Sequence, residues 1–204
     1  RQRQMCIRDR LFTASTIGTL RMQKDATEQD ILRINAHQAD IAMRKAWDII
    51  KPGLTEENIA LAIQNSFFDQ GALPQFSIVA SGSNSAFPHH QTGSRKLKEG
   101  DAIVIDLGGK FEGYASDITR MSSIGAPPKD YALIHQIVED AVCATMAAAR
   151  PGQIAKNVDR AAREVIEKAG FGKYFVHRTG HGLGSEIHEP PFITVSYTHL
   201  RAHE

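Results

Sequence analysis

Three histidines, His177, His181 and His188, fall within twelve residues in the run His177 to Pro191 (HRTGHGLGSEIHEPP), interleaved with Gly180, Gly182 and Gly184. Neutral imidazole is a common ligand of first-row divalent metals, and the glycines allow the backbone to approach a bound group closely. Upstream, Asp106 lies in the apolar stretch Ala102 to Leu107, is followed by Gly108-Gly109, and precedes Asp117 by eleven residues. A carboxylate in such a strand is costly to bury without a cation or a donor. A two-residue turn at Phe111-Glu112 would set Asp106 directly opposite Asp117 on adjacent antiparallel strands, with β-carbons about 5 Å apart. Carboxylates so placed repel unless they share a proton or bind metal. With His89 as a further imidazole, the set reads as a metal hydrolase site. No cysteine lies near these positions, which argues against structural zinc.

The segments between them must supply a scaffold. Thr27 can cap a helix, with Asp30 three residues on. Its apolar stripe runs through Ile31, Ile34, Ile41, Ala42, Ala46 and Ile49 to the break Lys51-Pro52-Gly53. Thr55 can cap a second helix carrying Ile59, Ile63 and Phe67 and stopping near Gly71. A strand from Phe76 to Ala80 and a polar loop from Ser81 to Ser94 follow, then the turn Lys98-Glu99-Gly100-Asp101 and the strand Ala102 to Leu107. A long helix is expected from about Lys129 to Arg150, ended by Pro151-Gly152, and another helix up to Gly170. An offset of 99 positions carries Lys51-Pro52-Gly53 onto Arg150-Pro151-Gly152, Ile59 onto Val158, Phe67 onto Ile166, Gly71 onto Gly170 and Phe76 onto Phe175. The same offset places His89 on His188. A duplicated α+β fold with one histidine from each half facing a shared centre is the geometry this implies.

Composition sets the outer bounds. The chain has 204 residues, 42% hydrophobic and 23% charged, with a formal net charge of +1 and no long basic run, which removes the electrostatic footprint of a nucleic-acid binder. A chain of this length can bury a substantial core as one domain. No apolar stretch approaches the roughly 20 residues of a membrane span, no signal peptide is recognisable, and Cys6 and Cys143 are the only cysteines, so the expected setting is cytoplasmic, without a membrane partner. Residues 1–10 (RQRQMCIRDR) and 196–204 (SYTHLRAHE) continue no pattern and read as non-native tails, so His199 and His203 are not counted as ligands.

Four motifs in order, Phe87 to Thr92 (FPHHQT), Ile105 to Gly109 (IDLGG), Ser116 to Arg120 (SDITR) and His177 to Pro191, resemble the M24 metallopeptidases, in the Xaa-Pro aminopeptidase and Xaa-Pro dipeptidase (prolidase) branch. The likeness spans about Leu20 to Ile193, an incomplete catalytic domain at residues 20–193. It implies the pita-bread fold, a duplicated α+β domain whose curved antiparallel sheet cradles two divalent metal ions, Mn or Co in preference to Zn. By that resemblance Asp106, Asp117 and His181 are metal ligands, with Asp117 bridging. His89, His177 and His188 position the substrate and stabilise the transition state, and Arg120 orients the carboxylates from behind. His90 reads as a neighbour. The implied reaction is metal-assisted hydrolysis of the bond before proline in a proline-containing peptide, with the full-length parent able to form a homodimer.

The departures matter as much. Family members carry two further glutamate ligands beyond the His-Glu-x-Pro segment, and neither of their motifs occurs here. Offset by 99, Asp106 and Asp117 both map beyond Glu204, so the second-half hairpin is missing and the chain reads as an inactive fragment. Two other readings compete: a pita-bread relative without peptidase activity, either creatinase-like or a non-catalytic binding protein, and a sugar-kinase-like ATPase whose phosphate loop Ile105 to Gly109 resembles.

Overall fold

The structure, a computed structural model, describes residues 17–195. Both segments read as non-native tails lie outside that range, together with Cys6, His199 and His203. Helices α1 (Thr19–Met22), α2 (Ala26–Ile49) and α3 (Glu56–Asp69) precede strand β1 (Leu73–Ser81). A 3-10 turn at Gly82–Ala86 leads through an irregular segment to β2 (Ala102–Phe111), β3 (Tyr114–Ala115) and β4 (Ile118–Ser123). Helices α4 (Tyr131–Ala148) and α5 (Ala155–Lys168), a 3-10 turn at Gly172–Tyr174, and strands β5 (Gly180–Gly182) and β6 (Glu189–Ile193) complete it.

The cap of α2 lies two residues earlier than Thr27. Asp25 accepts the Glu28 N–H at 2.9 Å while Glu28 accepts the Asp25 N–H at 2.8 Å, a reciprocal box that leaves Thr27 inside the first turn. The buried face of α2 also differs from the isoleucine stripe: Asn35, Gln38, Ala39, Ala42, Met43 and Ala46 face inward, while Ile34 and Ile41 remain exposed. The inward series keeps the 3.6-residue period more closely, and its alanines bring the helix close to the sheet. Asn35 is tolerated there because its amide exchanges two hydrogen bonds with the Phe111 main chain, at 3.0 and 3.1 Å. Helix α3 follows expectation, with Thr55 capping Asn58 and Ile59, Ile63 and Phe67 buried.

Strand β2 is central. It pairs antiparallel with β1 on one side and with β3 and β4 on the other. Ile103, Ile105 and Leu107 alternate inward against α2 and α3, and this packing with Met43, Phe67 and Val79 forms the main core. The hairpin turn is Glu112-Gly113, not Phe111-Glu112. Both residues have positive φ, 49° and 83°, the requirement of the two-residue turn that matches strand twist. The one-residue difference pairs Asp106 with Thr119 rather than with Asp117. Asp117 instead falls in the break between β3 and β4, where Ser116 leans over Gly109: the Ser116 N–H donates to the Gly109 carbonyl and the Gly109 N–H to Ser116 Oγ. Only glycine fits there, since a Cβ at Gly109 would sit 2.5 Å from the Phe67 ring.

The offset of 99 is exact for two elements. Helix α3 maps onto α5 end to end, and the C-terminal ends of α2 and α4 coincide. The halves then diverge: Phe175 follows a single 3-10 turn, whereas its counterpart Phe76 lies in β1. Strand β1 is held by its ladder to β2, and no equivalent of β2 covers the second half among the described residues. The core there is correspondingly small, built on Ala141, Ala162 and Ile166. Ala39 and Met43, fully buried in α2, correspond to Val138 and Val142 in α4, which are 49% and 56% exposed. Helix α4 thus presents to solvent the face that α2 presents to its sheet.

Two outcomes are expected. The pair Val138→Glu and Val142→Glu should leave the unfolding midpoint within about 0.5 kcal/mol per site and reduce self-association in sedimentation velocity, whereas Met43→Glu should unfold the chain; equal damage from both would refute the assignment of the α4 face. Acid should also weaken the fold. The Glu56 carboxyl feels burial, which raises its pKa, but hydrogen bonds from Ser81, His90 and Asn84 outweigh that and hold it below its usual value. The Arg95 guanidinium holds Asp101 low in the same way. A depressed folded pKa contributes stability that is present above the unfolded value, about 4, and lost as pH falls through the folded one. Urea midpoints should therefore be flat from pH 7 to about 5 and fall steeply below about 4; a midpoint unchanged at pH 3 would contradict this.

Candidate metal centre

Asp117, His181 and His188 each offer one ligand atom, and the three atoms lie within 4.8 Å of one another. Asp117 comes from the break between β3 and β4, His181 from β5, and His188 from the residue before β6. His181 Nδ1 lies 2.9 Å from the Gly182 carbonyl, which can only accept, so that nitrogen carries a proton and Nε2 is the ring atom turned to the cluster. Nε2 faces Asp117 Oδ2 at 3.3 Å. The His188 ring stands 4.3 Å from that of His181. A ring nitrogen and a carboxylate oxygen placed as His181 Nε2 and Asp117 Oδ2 are share either a proton or a cation.

The surrounding electrostatics agree. Burial and then the Asp106 carboxylate push the Asp117 pKa up, against the opposing pull of His181 and His188. His188 is shifted down by burial, His181 and Arg178, which keeps its imidazole neutral and able to donate a lone pair. The donor set of one carboxylate oxygen and two imidazole nitrogens, with a second carboxylate acting on it, suits a divalent transition metal. Asp117, His181 and His188 would hold such an ion. Asp106 stands beside this trio, accepting from Thr119 Oγ1 at 2.7 Å. The structure therefore gathers Asp117 and His181 from the expected ligands, and adds His188, which sequence had placed among the substrate-positioning histidines.

His89 and His177, both exposed, meet edge to face with ring centroids 6.0 Å apart, and His89 lies near enough to act electrostatically on His188. The histidines of the two halves thus border one region. Arg120, expected behind the carboxylates, is not gathered with them. It stands opposite Ile105 in the ladder, out of step with Asp106 along β2, and its exposed guanidinium donates to its neighbour's carbonyl, Thr119 O, at 2.8 Å. The alternation of side chains along a strand excludes it from the face that Asp106 and Thr119 share.

The histidine arm is docked on the hairpin by its main chain. Ala115 N–H donates to Gly184 O and Lys110 Nζ to Ser185 O, each at 2.8 Å. Beside His188 these elements border a cavity of about 280 Å³ lined also by Gln75, Glu186 and Ile187. Sequence reasoning missed the anchor of this arm. Glu189, almost fully buried, accepts from Arg21 at 2.6 Å, Lys24 at 3.1 Å and the Glu186 N–H at 3.0 Å. Its pKa is raised by burial but lowered more by those donors, to a net position below the usual range. The available signal was a pair of cations three residues apart ahead of α2, whose partner lay some 165 residues away and so could not be read from local spacing.

Residues 30–203 match the model of metallopeptidase family M24. Among curated relatives, the probable dipeptidase PepE of Mycobacterium bovis is 43% identical over 90% of this chain and 49% of its own length. The Xaa-Pro dipeptidase of Pyrococcus furiosus is 39% identical over 87% of this chain and 52% of its own. The chain thus spans about half the length of the curated relatives it matches. Of solved structures, the X-Pro aminopeptidase of Thermotoga maritima superposes with a TM-score of 0.89 at 34% identity, covering 93% of this chain and 54% of that one. The prolidase of Pyrococcus furiosus gives 0.88 at 38% identity, over 90% and 55%. A match this extended leaves no room for the ATPase reading of Ile105 to Gly109, and with the duplicated helices and convergent histidines already in place it assigns the chain to metallopeptidase family M24, whose pita-bread fold it shares over about half the length of those solved neighbours.

Proposed function

We propose that the protein from which this chain comes hydrolyses the peptide bond before proline in Xaa-Pro peptides, as an aminopeptidase P or prolidase, and that these 204 residues alone are inactive. The observation that carries the reading is the cluster of Asp117, His181 and His188 in an M24 chain whose relatives are named Xaa-Pro dipeptidases. A divalent ion held there, Mn or Co in preference to Zn, would polarise the scissile carbonyl and acidify a water. The residues of the chain supply the rest. Gly182 fixes the His181 tautomer, and His89 and His177 stand exposed at the rim, where their N–H groups can donate to the oxygen on which charge develops. An imide nitrogen has no hydrogen to give, so a pocket that selects proline tests ring shape, and the cavity beside His188 is open to such a test.

Charge limits how much metal the chain can hold. Asp106 and Asp117 together offset one divalent ion, while two ions would leave an excess of positive charge with too few ligands. The dinuclear centre belongs in this proposal to the longer protein, with the missing carboxylates contributed by the second half. The protein's substrate is a proline-containing peptide, its setting the cytoplasm, and a homodimer of the parent is compatible with all of this.

The purified chain should bind at most one Mn²⁺, read by isothermal titration or by the loss of free-ion signal in electron paramagnetic resonance; two tight sites would refute the charge argument. Asp117→Asn should weaken that binding at least tenfold, yet leave the metal-free thermal midpoint unchanged or higher, because the variant removes a half-buried charge that Asp106 repels. A lower midpoint with unaltered Mn²⁺ affinity would remove Asp117 from the site. Assayed with Mn²⁺ on an Xaa-Pro peptide beside a version of family length, the chain should show no turnover and the longer version should; equal turnover from both would defeat the inactive-fragment reading, and none from either would defeat the peptidase reading.

A further inference from the structure

We propose that two buried, helix-borne carboxylates, Glu56 and Asp159, are positioning residues that hold the two histidine-bearing segments in place, one in each half. Both are fully inaccessible to solvent. Glu56 begins α3 and Asp159 lies in the first turns of α5, the two helices that the offset of 99 superposes end to end. A buried carboxylate needs several donors to offset its lost hydration. Those donors are not scattered over the fold: apart from Arg163 on α5 itself, each carboxylate draws them from the segment that carries the histidines.

Glu56 Oε1 accepts the Ser81 N–H at 2.8 Å, the Ser81 hydroxyl at 2.7 Å and the Asn84 amide at 3.0 Å. Its other oxygen accepts from His90 Nε2 at 2.9 Å and, more weakly, from the Gly93 N–H at 3.4 Å. Both ends of the segment from Ser81 to Gly93 are thereby tied to one side chain, and the tie at His90 is adjacent to His89. Asp159 Oδ1 accepts the Thr179 N–H at 3.1 Å and the Thr179 hydroxyl at 2.7 Å. Its partner Arg163, bonded to it at 2.6 Å, donates in turn to the Phe175 carbonyl at 2.9 Å and the His177 carbonyl at 2.7 Å. Thr179 lies midway between His177 and His181.

The two devices share a plan without sharing positions. Each takes a main-chain N–H and the hydroxyl of the same Ser or Thr, then reaches further into the segment, to the His90 imidazole beside His89 in one half and through the Arg163 guanidinium to the His177 carbonyl in the other. By the offset, Glu56 corresponds to Ala155 and Asp159 to Ala60, both buried. The carboxylate has moved one helical turn along the same face, with the longer Glu side chain at one position and the shorter Asp at the other. Neither carboxylate belongs to the Asp117, His181, His188 cluster, so neither acts as a ligand. His90, which sequence reasoning set aside as a neighbour, becomes the link between Glu56 and the segment that carries His89.

The relevance of this placement to turnover rests on the peptidase reading above, but the placement can be tested without metal or substrate. In the 204-residue chain, imidazole ring resonances assigned by NMR should respond in two separate groups. Glu56→Gln, and the milder Ser81→Ala, should shift and broaden His89 and His90 while sparing His181. Asp159→Asn, and the milder Thr179→Val, should shift His177 and His181 while sparing His90. Asn35→Ala, which removes an equally buried amide bound to the Phe111 main chain, should move none of them at matched stability. Ring resonances unchanged in all four variants, or moved alike by Asn35→Ala, would overturn the proposal. In a family-length version, each of the four should lower kcat about tenfold or more with KM within about threefold, and unchanged kcat would equally overturn it. A family-length wild type without turnover would count against the peptidase reading alone, since the ring resonances decide the positioning.

Discussion

Three lone-pair donors held within 4.8 Å of one another form an arrangement that no polypeptide adopts for its own stability. Carboxylate repels carboxylate, and two imidazoles crowd the same space beside them. Such a cluster persists only where the surrounding structure imposes it. Every anchor identified here acts on a neighbour of a donor rather than on the donor atom. Ser116 is bonded to Gly109 next to Asp117, Gly182 accepts from the far nitrogen of His181, and Glu189 is clasped by Arg21 and Lys24 next to His188. The ties fall on the backbone beside Asp117 and His188 and on the far ring nitrogen of His181, which leaves His181 Nε2 turned to Asp117 Oδ2.

The two halves bear this load differently. The first rests on a continuous core in which Phe67, Ile59 and Ile63 of α3 pack against Ile103, Ile105 and Leu107 of β2, each such side chain contributing about 1.5–3 kcal/mol on burial. Asp106 and Asp117 are carried by that well-supported sheet. The histidine arm belongs to the second half, whose core is small and whose strands β5 and β6, among the described residues, pair only with each other. Its placement depends on polar contacts to the first half: Ala115 to Gly184, Lys110 to Ser185, and the buried Glu189. Geometry at the site is thus built from hydrophobic packing on one side and from satisfied buried charge on the other.

This division also explains what could be read from the sequence. Elements defined by period and punctuation were legible: α3 with its Thr55 cap, β2, the helix pair α4 and α5, and the offset relating the halves. The motif residues Asp106, Asp117, His89, His177, His181 and His188 were legible by type and spacing, and they stand around one region. Errors arose where a single residue of register decided the outcome. Placing the turn at Phe111-Glu112 misassigned the partner of Asp106, because the residue that accepts positive φ at the first turn position is Glu112, which has no strong preference for it. Isoleucines drew the α2 stripe away from Asn35 and Gln38, since a buried amide is recognisable only once its distant main-chain partner is known. Glu56, Asp159 and Glu189 stayed hidden for the same reason.

One strand serves two layers of the first half. Ile103, Ile105 and Leu107 of β2 are buried in the core beside Ala39 and Met43 of α2. Among the described residues α4 meets no such strand, and Val138 and Val142, the counterparts of Ala39 and Met43, stand exposed. Asp106, between Ile105 and Leu107, turns to the opposite face of β2, where its charge acts on Asp117. In a strand, one face cannot be supplied without the other. The hydrophobic layer over α2 and the negative charge beside the candidate metal centre therefore come from a single element, and a slip of one residue in the register of β2 would lose both at once.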